Sequence, residues 1–308
     1  MNFIDSVWEA ISHTYHNSFI YRKFLRRFVL INKLGSYVAN KRDNNYKKAI
    51  KNENFPTEQM IKSREYYTKN IDRVNKILST LYDEDSKECY KKMITFRCYS
   101  NTDDFPQCYQ SDTYFDNNYF NYGNNEVFVD CGAYIGDTIR AFKRIMQKYK
   151  GENSYRIIAF EPNFKNYKEL EKNKNVVIIK AAVGDRNEHL HFDISKGNSS
   201  AITLSEEKSY EFYYLVPVKR IDDCSECKSC TLLKMDVEGF ELKALIGAKE
   251  TIKNNLPKLV ISIYHSDEDM LDIPEWIHEN FPEYRLYIKQ HDKYAIWDTI
   301  LYAVADEY

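Results

Sequence analysis

Apolar residues in the first third of the chain recur at intervals of three and four. Met60, Ile61, Tyr67, Ile71, Val74, Ile77, Leu78 and Leu81 form such a row, the mark of an amphipathic helix. The pattern predicts a mainly helical extension before about residue 110. Within it, Phe19 to Tyr37 interleaves Arg22, Lys23, Arg26, Arg27 and Lys33 with Phe24, Leu25, Phe28, Leu30, Ile31 and Leu34. This stretch reads as a helix packed on the core with a solvated basic face. Its other reading is peripheral membrane or partner contact through residues 19–37. Between Asn101 and Asn125 the sequence is crowded with Asn, Asp, Tyr and Gly and keeps no period, so a loop or hinge is expected. The chain is therefore divided into a helical extension over residues 1–110 and a second domain over residues 111–308.

After Asn125 the period changes. Strand-like runs at Val127 to Asp130, Arg156 to Phe160 and Val176 to Ala182 alternate with helical patterns through Ile139, Phe142 and Ile145, and then through Tyr167 and Leu170. Such alternation predicts an α/β fold with a parallel sheet covered on both faces. Further strands are expected at Leu232 to Met235, Leu259 to Tyr264, Tyr284 to Ile288 and Thr299 to Val304. The runs His189 to Ile194 and Phe212 to Val218 flank the polar stretch Ser195 to Ser209 and read as an inserted hairpin with a loop.

Composition narrows the partners. At 308 residues the chain has room for a large core and a sizeable appendage. A net charge of −2 without a long basic block lacks the electrostatic footprint of a nucleic-acid binder. No apolar run approaches the roughly 20 residues of a membrane span, and Met1 to Ala10 lacks the layout of a secretion signal. A soluble, cytoplasmic chain is expected. Seven cysteines, an odd number in such a chain, disfavour a disulfide framework.

The chemistry gathers at strand ends, where open α/β sheets bind ligands. Asp130 closes the first run, Glu161 the second, Ala182-Val183-Gly184-Asp185 the third and Asp236-Val237-Glu238-Gly239 the fourth. Gly132 and Gly136 allow close backbone approach and a sharp turn into the next helix. Their spacing is not the G-x-G-x-x-G of a pyrophosphate cradle, so a cofactor without phosphates fits better. S-adenosylmethionine is such a molecule. Asp130 and the turn of Gly132, Ala133, Tyr134, Gly136 and Asp137 would hold its amino-acid end. Glu161, with Pro162 and Asn163, would meet the ribose hydroxyls, because charged acceptors make the stronger hydrogen bonds. Ala182 and Val183 would meet the adenine.

These blocks resemble the FkbM family of S-adenosylmethionine-dependent methyltransferases. The resemblance rests on Val127-Phe128-Val129-Asp130-Cys131-Gly132-Ala133-Tyr134-Ile135-Gly136-Asp137, Ala159-Phe160-Glu161-Pro162-Asn163, Lys180-Ala181-Ala182-Val183-Gly184-Asp185 and Lys234-Met235-Asp236-Val237-Glu238-Gly239-Phe240-Glu241. It spans about residues 110–305. It implies a class I methyltransferase fold, a Rossmann-like seven-stranded sheet with its last strand antiparallel, and O-methylation of hydroxyls on sugars or other secondary metabolites. A carbohydrate acceptor of surface polysaccharide or nucleotide-sugar biosynthesis is the expected substrate.

Methyl transfer to a hydroxyl needs a base. His265, which ends the fifth strand, is the first candidate because of its near-neutral pKa, with Asp236 as orienter or alternative base and Glu238 beside it. Glu238 is also simply an acid in a helix's first turn. Asp236, Glu238 and His265 offer ordinary ligands for a divalent metal, but no tight spacing motif favours one. Cys224, Cys227 and Cys230 are spaced like thiolate ligands; they read as incidental reduced cysteines, since no second C-x-x-C accompanies them. Tyr114 or Phe115 would close over the cofactor or plug the core. Two other classes stay open: a non-catalytic binding or scaffold protein on the same fold, and an NAD-dependent oxidoreductase.

Overall fold

The computed structural model describes residues 58–99, 114–115, 119–123, 125–149, 155–193, 213–291 and 297–305. The basic stretch 19–37, the loop 195–209 and the division at residue 110 lie outside the described residues.

Seven strands form one sheet in the order β3-β2-β1-β7-β8-β10-β9. They are β1 (Glu126–Cys131), β2 (Tyr155–Phe160), β3 (Val177–Ile179), β7 (Leu232–Met235), β8 (Lys258–Ser262), β9 (Tyr284–Gln290) and β10 (Thr299–Ala305). β1 pairs in parallel with β2 and β7, while β10 runs antiparallel between β8 and β9. This is the seven-stranded sheet with an antiparallel final strand that the sequence led us to expect. Helix α4 (Asp137–Tyr149) follows β1, and α5 (Phe164–Leu170) follows β2. Between β7 and β8 come α6 (Glu241–Ile246) and α7 (Lys249–Asn255), and α8 (Asp269–Asn280) precedes β9.

Alternation along β1 shares its side chains between two cores. Val127, Val129 and Cys131 join Leu233, Ile261 and Leu271 in one cluster, and Phe128 joins Ile139, Phe142 and Met146 of α4 in the other. Opposite-facing neighbours along a strand require this, and it explains why β1 is buried throughout. The long apolar run is the trace of a strand covered on both faces.

One expectation needs correction. The third run, Val176 to Ala182, is not one strand. β3 stops at Ile179, and Ala182–Val183 forms a separate strand, β4, in a second sheet of order β4-β6-β5 with β5 (Glu188–Asp193) and β6 (Tyr213–Lys219). Its periodicity could not reveal that the chain changes sheets between Ile179 and Ala182. The apolar row from Met60 to Leu81 is helical as expected and forms two helices, α1 (Glu58–Lys69) and α2 (Ile71–Thr80), separated at Asn70. Ile61 and Ile71 of that row are exposed.

A third helix, α3 (Glu84–Tyr99), lies along β9, and α2 packs on α8. Buried residues of all three helices share the first core. They also dress the open edge of β9. Tyr82 N donates to Leu286 O at 2.9 Å, and Ile288 N donates to Ser86 Oγ at 3.0 Å. An uncovered edge strand invites pairing with another chain, so these bonds satisfy donors and acceptors the sheet itself leaves over.

Candidate active site

Parallel register sets Asp130 of β1 beside Lys234 of β7. Their side chains form a buried ion pair of 3.0 Å, and Lys234 Nζ reaches on to the carbonyls of Cys131 and Gly132 at 3.2 and 2.9 Å. Thr138 Oγ1 donates to the other Asp130 oxygen at 2.5 Å. Burial alone would lower the Lys234 pKa; Asp130, and then Asp236, more than offset it and keep the ammonium charged. The pair therefore fastens the turn after β1 from beneath. Lys234 was not singled out from sequence; its one sequence signal is a lysine inside the apolar run Leu232 to Met235.

Above that anchor, Gly132 (φ +78°) and Gly136 (φ +76°) sit in the left-handed region. A Cβ on Gly132 would lie 1.9 Å from the Asp236 carbonyl oxygen, so only glycine lets the turns after β1 and β7 meet. Gly132 N and Ala133 N both donate to Phe160 O at 3.0 Å. Tyr134 N then points at Glu161, donating to Oε2 at 2.8 Å.

Glu161 directly follows β2 and is 5 % exposed. Its Oε1 accepts from Asn163 N at 2.7 Å and from Asn166 Nδ2 at 3.1 Å. Asn163 in turn caps α5 by accepting from Lys165 N. Burial pushes the carboxyl up to about 7, against the opposing pull of these donors. A carboxylate has about four acceptor positions, so Oε2 keeps one for a ligand.

The same sheet edge carries an open cleft. Of the residues predicted for the cofactor, Gly132, Tyr134, Glu161, Pro162, Asn163, Ala182, Val183 and Asp236 line it. Asp130, Ala133, Gly136 and Asp137 do not. Asp130 is fully buried with Lys234, Ala133 is buried in the core, Gly136 backs onto Asn173, and Asp137 opens α4. Sequence reasoning missed Phe192, which enters the cleft from the second sheet. Its position depends on a pairing of β5 with β6 that no local pattern records.

At one end of the cleft the turns after β7 and β8 converge. Asp236 accepts hydrogen bonds from Tyr114 Oη at 2.8 Å and Tyr264 Oη at 3.0 Å. Burial, aided by the Asp236 charge, holds both phenols protonated and so fixed as donors. Phe115 instead packs against Phe128 and Phe142. Glu238, at φ 60°, lines the cleft with Asp236. Behind them stands His265, whose Nε2 lies 3.5 Å from both Asp236 Oδ1 and Glu238 Oε2, and whose Nδ1 lies 3.1 Å from Glu241 Oε1. Burial works to lower the imidazole pKa, but Glu241, Glu238 and Asp236 outweigh it and raise it well above the ordinary value. Glu241 is fully buried and holds its own turn, accepting from Val237 N and Gly239 N at 2.7 and 2.9 Å.

Cys224, Cys227 and Cys230 are free thiols, as are the other described cysteines. Burial pushes the Cys230 thiol up to about 12 and also raises that of Cys227. No described helix is long and apolar enough to cross a membrane.

Comparison with known proteins places this geometry. The model of the methyltransferase FkbM domain matches residues 130–293. The crystal structure of a methyltransferase FkbM from Methylobacillus flagellatus KT superposes with a TM-score of 0.64 at 24% identity, covering 78% of this chain and 60% of that one. The chain thus spans less than two thirds of that relative. A candidate rRNA methylase from Clostridium thermocellum aligns at 11% identity and a TM-score of 0.36, over 59% of this chain and 88% of that one, too low to bear on the argument. No curated protein matches the sequence.

Proposed function

The chain belongs to the FkbM methyltransferase family, and on that premise we propose that it is an S-adenosylmethionine-dependent O-methyltransferase. Its acceptor is a hydroxyl of a carbohydrate, in surface polysaccharide or nucleotide-sugar biosynthesis. The observation that carries the cofactor is Glu161. It is a buried carboxylate at the wall of the cleft, pushed up to about 7 by burial, with one acceptor position open toward a ligand.

The rest of the cleft fits S-adenosylmethionine. Gly132 and Tyr134 line the end of the cleft that would take the amino-acid end. Val183, Ala182 and Phe192 offer apolar faces for the adenine, and Glu161 accepts a hydrogen bond from a ribose hydroxyl. When bound, the sulfonium supplies the methyl: its S–C bond breaks as an O–C bond forms on the acceptor oxygen. The chain's own task is alignment and proton removal. We place the base at Glu238, whose side chain is 34 % exposed and lines the cleft, whereas His265 stands behind it and lines no part of it. Glu238 takes the hydroxyl proton, and Asp236, held by two tyrosines, fixes the wall against which the acceptor lies.

The acceptor class follows the family, and fold does not fix substrate. Mass spectrometry of candidate glycans and nucleotide sugars, incubated with the protein and S-adenosylmethionine, tests it. One added methyl that disappears on O-demethylation is expected. Methylation on nitrogen, or on a non-carbohydrate hydroxyl alone, would overturn the acceptor assignment.

A further inference from the structure

Where the turns after β7 and β8 converge, acids outnumber bases. Asp236, Glu241 and His265 each offer a donor atom, and these atoms all lie within 4.8 Å of one another. Glu238 adds a third carboxylate 3.5 Å from His265 Nε2. The buried lysine of β7, Lys234, gives its contacts to Asp130 and the carbonyls of Cys131 and Gly132.

His265 supplies a second, independent observation. Its side chain is only 10 % exposed, yet neither ring nitrogen is aligned for a hydrogen bond with any described group. Buried polar atoms nearly always find an aligned partner, and the contacts of His265 with Asp236, Glu238 and Glu241 are ion contacts without that alignment. Both ring nitrogens instead face carboxylate oxygens at 3.1 to 3.5 Å. Two carboxylates and an imidazole are ligands suited to a divalent ion of hard to borderline character. Donors on one octahedral ion with bonds of about 2.1 Å lie about 3.0 Å apart when adjacent and about 4.2 Å apart when opposite, so the three donors, now within 4.8 Å of one another, draw together on binding.

We propose that Asp236, Glu241 and His265 bind one divalent cation of hard to borderline character, for which Mn2+ is a directly readable probe. Asp236 also lines the cleft, so the ion stands at its wall, beside Glu238. There it draws the acceptor hydroxyl into its coordination sphere and lowers the hydroxyl pKa, and the proton passes to Glu238. This catalytic role rests on the methyltransferase reading; cation binding itself does not. The donors are scattered over residues 236, 241 and 265, so no compact motif announces them. Glu241 is the ligand the sequence expectation lacked.

The full-length chain, stripped with a chelator and dialysed, is titrated with Mn2+ alone while free Mn2+ is read by electron paramagnetic resonance. One saturable Mn2+ per chain is expected, with affinity at least about tenfold weaker in His265→Ala. Asp236→Asn, nearly unchanged in volume, serves in its place if His265→Ala melts at the working temperature. Absence of saturable uptake by the wild-type chain, or equal uptake by wild type and folded variant, would overturn the site. S-adenosylmethionine is titrated separately into the metal-free protein. Its binding without Mn2+ uptake overturns the metal site alone, whereas Mn2+ uptake without cofactor binding overturns the methyltransferase reading instead.

Discussion

Glu161 shows how burial sets the behaviour of a single side chain. Its folded pKa, about 7, is raised above the ordinary carboxyl value. The folded protein therefore holds this proton more tightly than the unfolded chain does. The stability that Glu161 contributes is complete in acid and is lost as pH rises toward about 7. Cofactor affinity runs the other way, because a ribose hydroxyl donates to the ionised form. We predict that the dissociation constant for S-adenosylmethionine falls about tenfold between about pH 6 and pH 8, read by calorimetry; a flat profile would separate Glu161 from the ribose. Glu238→Gln should retain cofactor binding and lower kcat about 10²- to 10⁴-fold; unchanged turnover would remove it as base. Glu161 was legible in the sequence because it closes an apolar run, and Glu238 because it stands two residues past Asp236, which closes another. Lys234 and Glu241 were not, for physical reasons. The partner of Lys234 lies 104 residues earlier and becomes a neighbour only through sheet register, and Glu241 has the ordinary look of an acid in a helix's first turn.

Elements were legible wherever period and burial coincide. β7 occupies the predicted residues, and α4 carries the predicted face of Ile139, Phe142 and Ile145. Boundaries failed where tertiary pairing decides them, as at the split between β3 and β4. The placement of α1 to α3 was also hidden, because a helical period tells which face is buried but not against what. None of their residues lines the cleft. They reach the site through Asp267, which accepts from Ser63 Oγ at 2.5 Å, Tyr67 Oη at 3.0 Å and Arg97 Nη1 at 2.9 Å. Arg97 Nη2 also donates to Tyr264 O at 2.6 Å. The helices thus grip the turn that carries Tyr264 and His265. Arg97 and Asp267 are both nearly buried, so Arg97→Ala leaves Asp267 without its cation. A loss of about 3–5 kcal/mol is expected, seen as a Tm lower by several degrees; an unchanged melt would show that the grip carries no stability.

At the scale of the whole molecule, the glycine turn, the acid after β2 and the acids after β7 are brought to one edge by the strand order, with β1 between β2 and β7. Sequence motifs scattered over a hundred residues become one cleft only because parallel strands end on the same side. The family follows from the match over residues 130–293, and the central claim is the cofactor. Calorimetric titration of the wild-type chain and Glu161→Ala with S-adenosylmethionine, and of the wild type with NAD, tests it most directly. The account predicts saturable binding of one S-adenosylmethionine per chain, weakened by about 1.5–3 kcal/mol in Glu161→Ala, and no saturable heat with NAD. Absence of S-adenosylmethionine binding, or tighter binding of NAD, would contradict it.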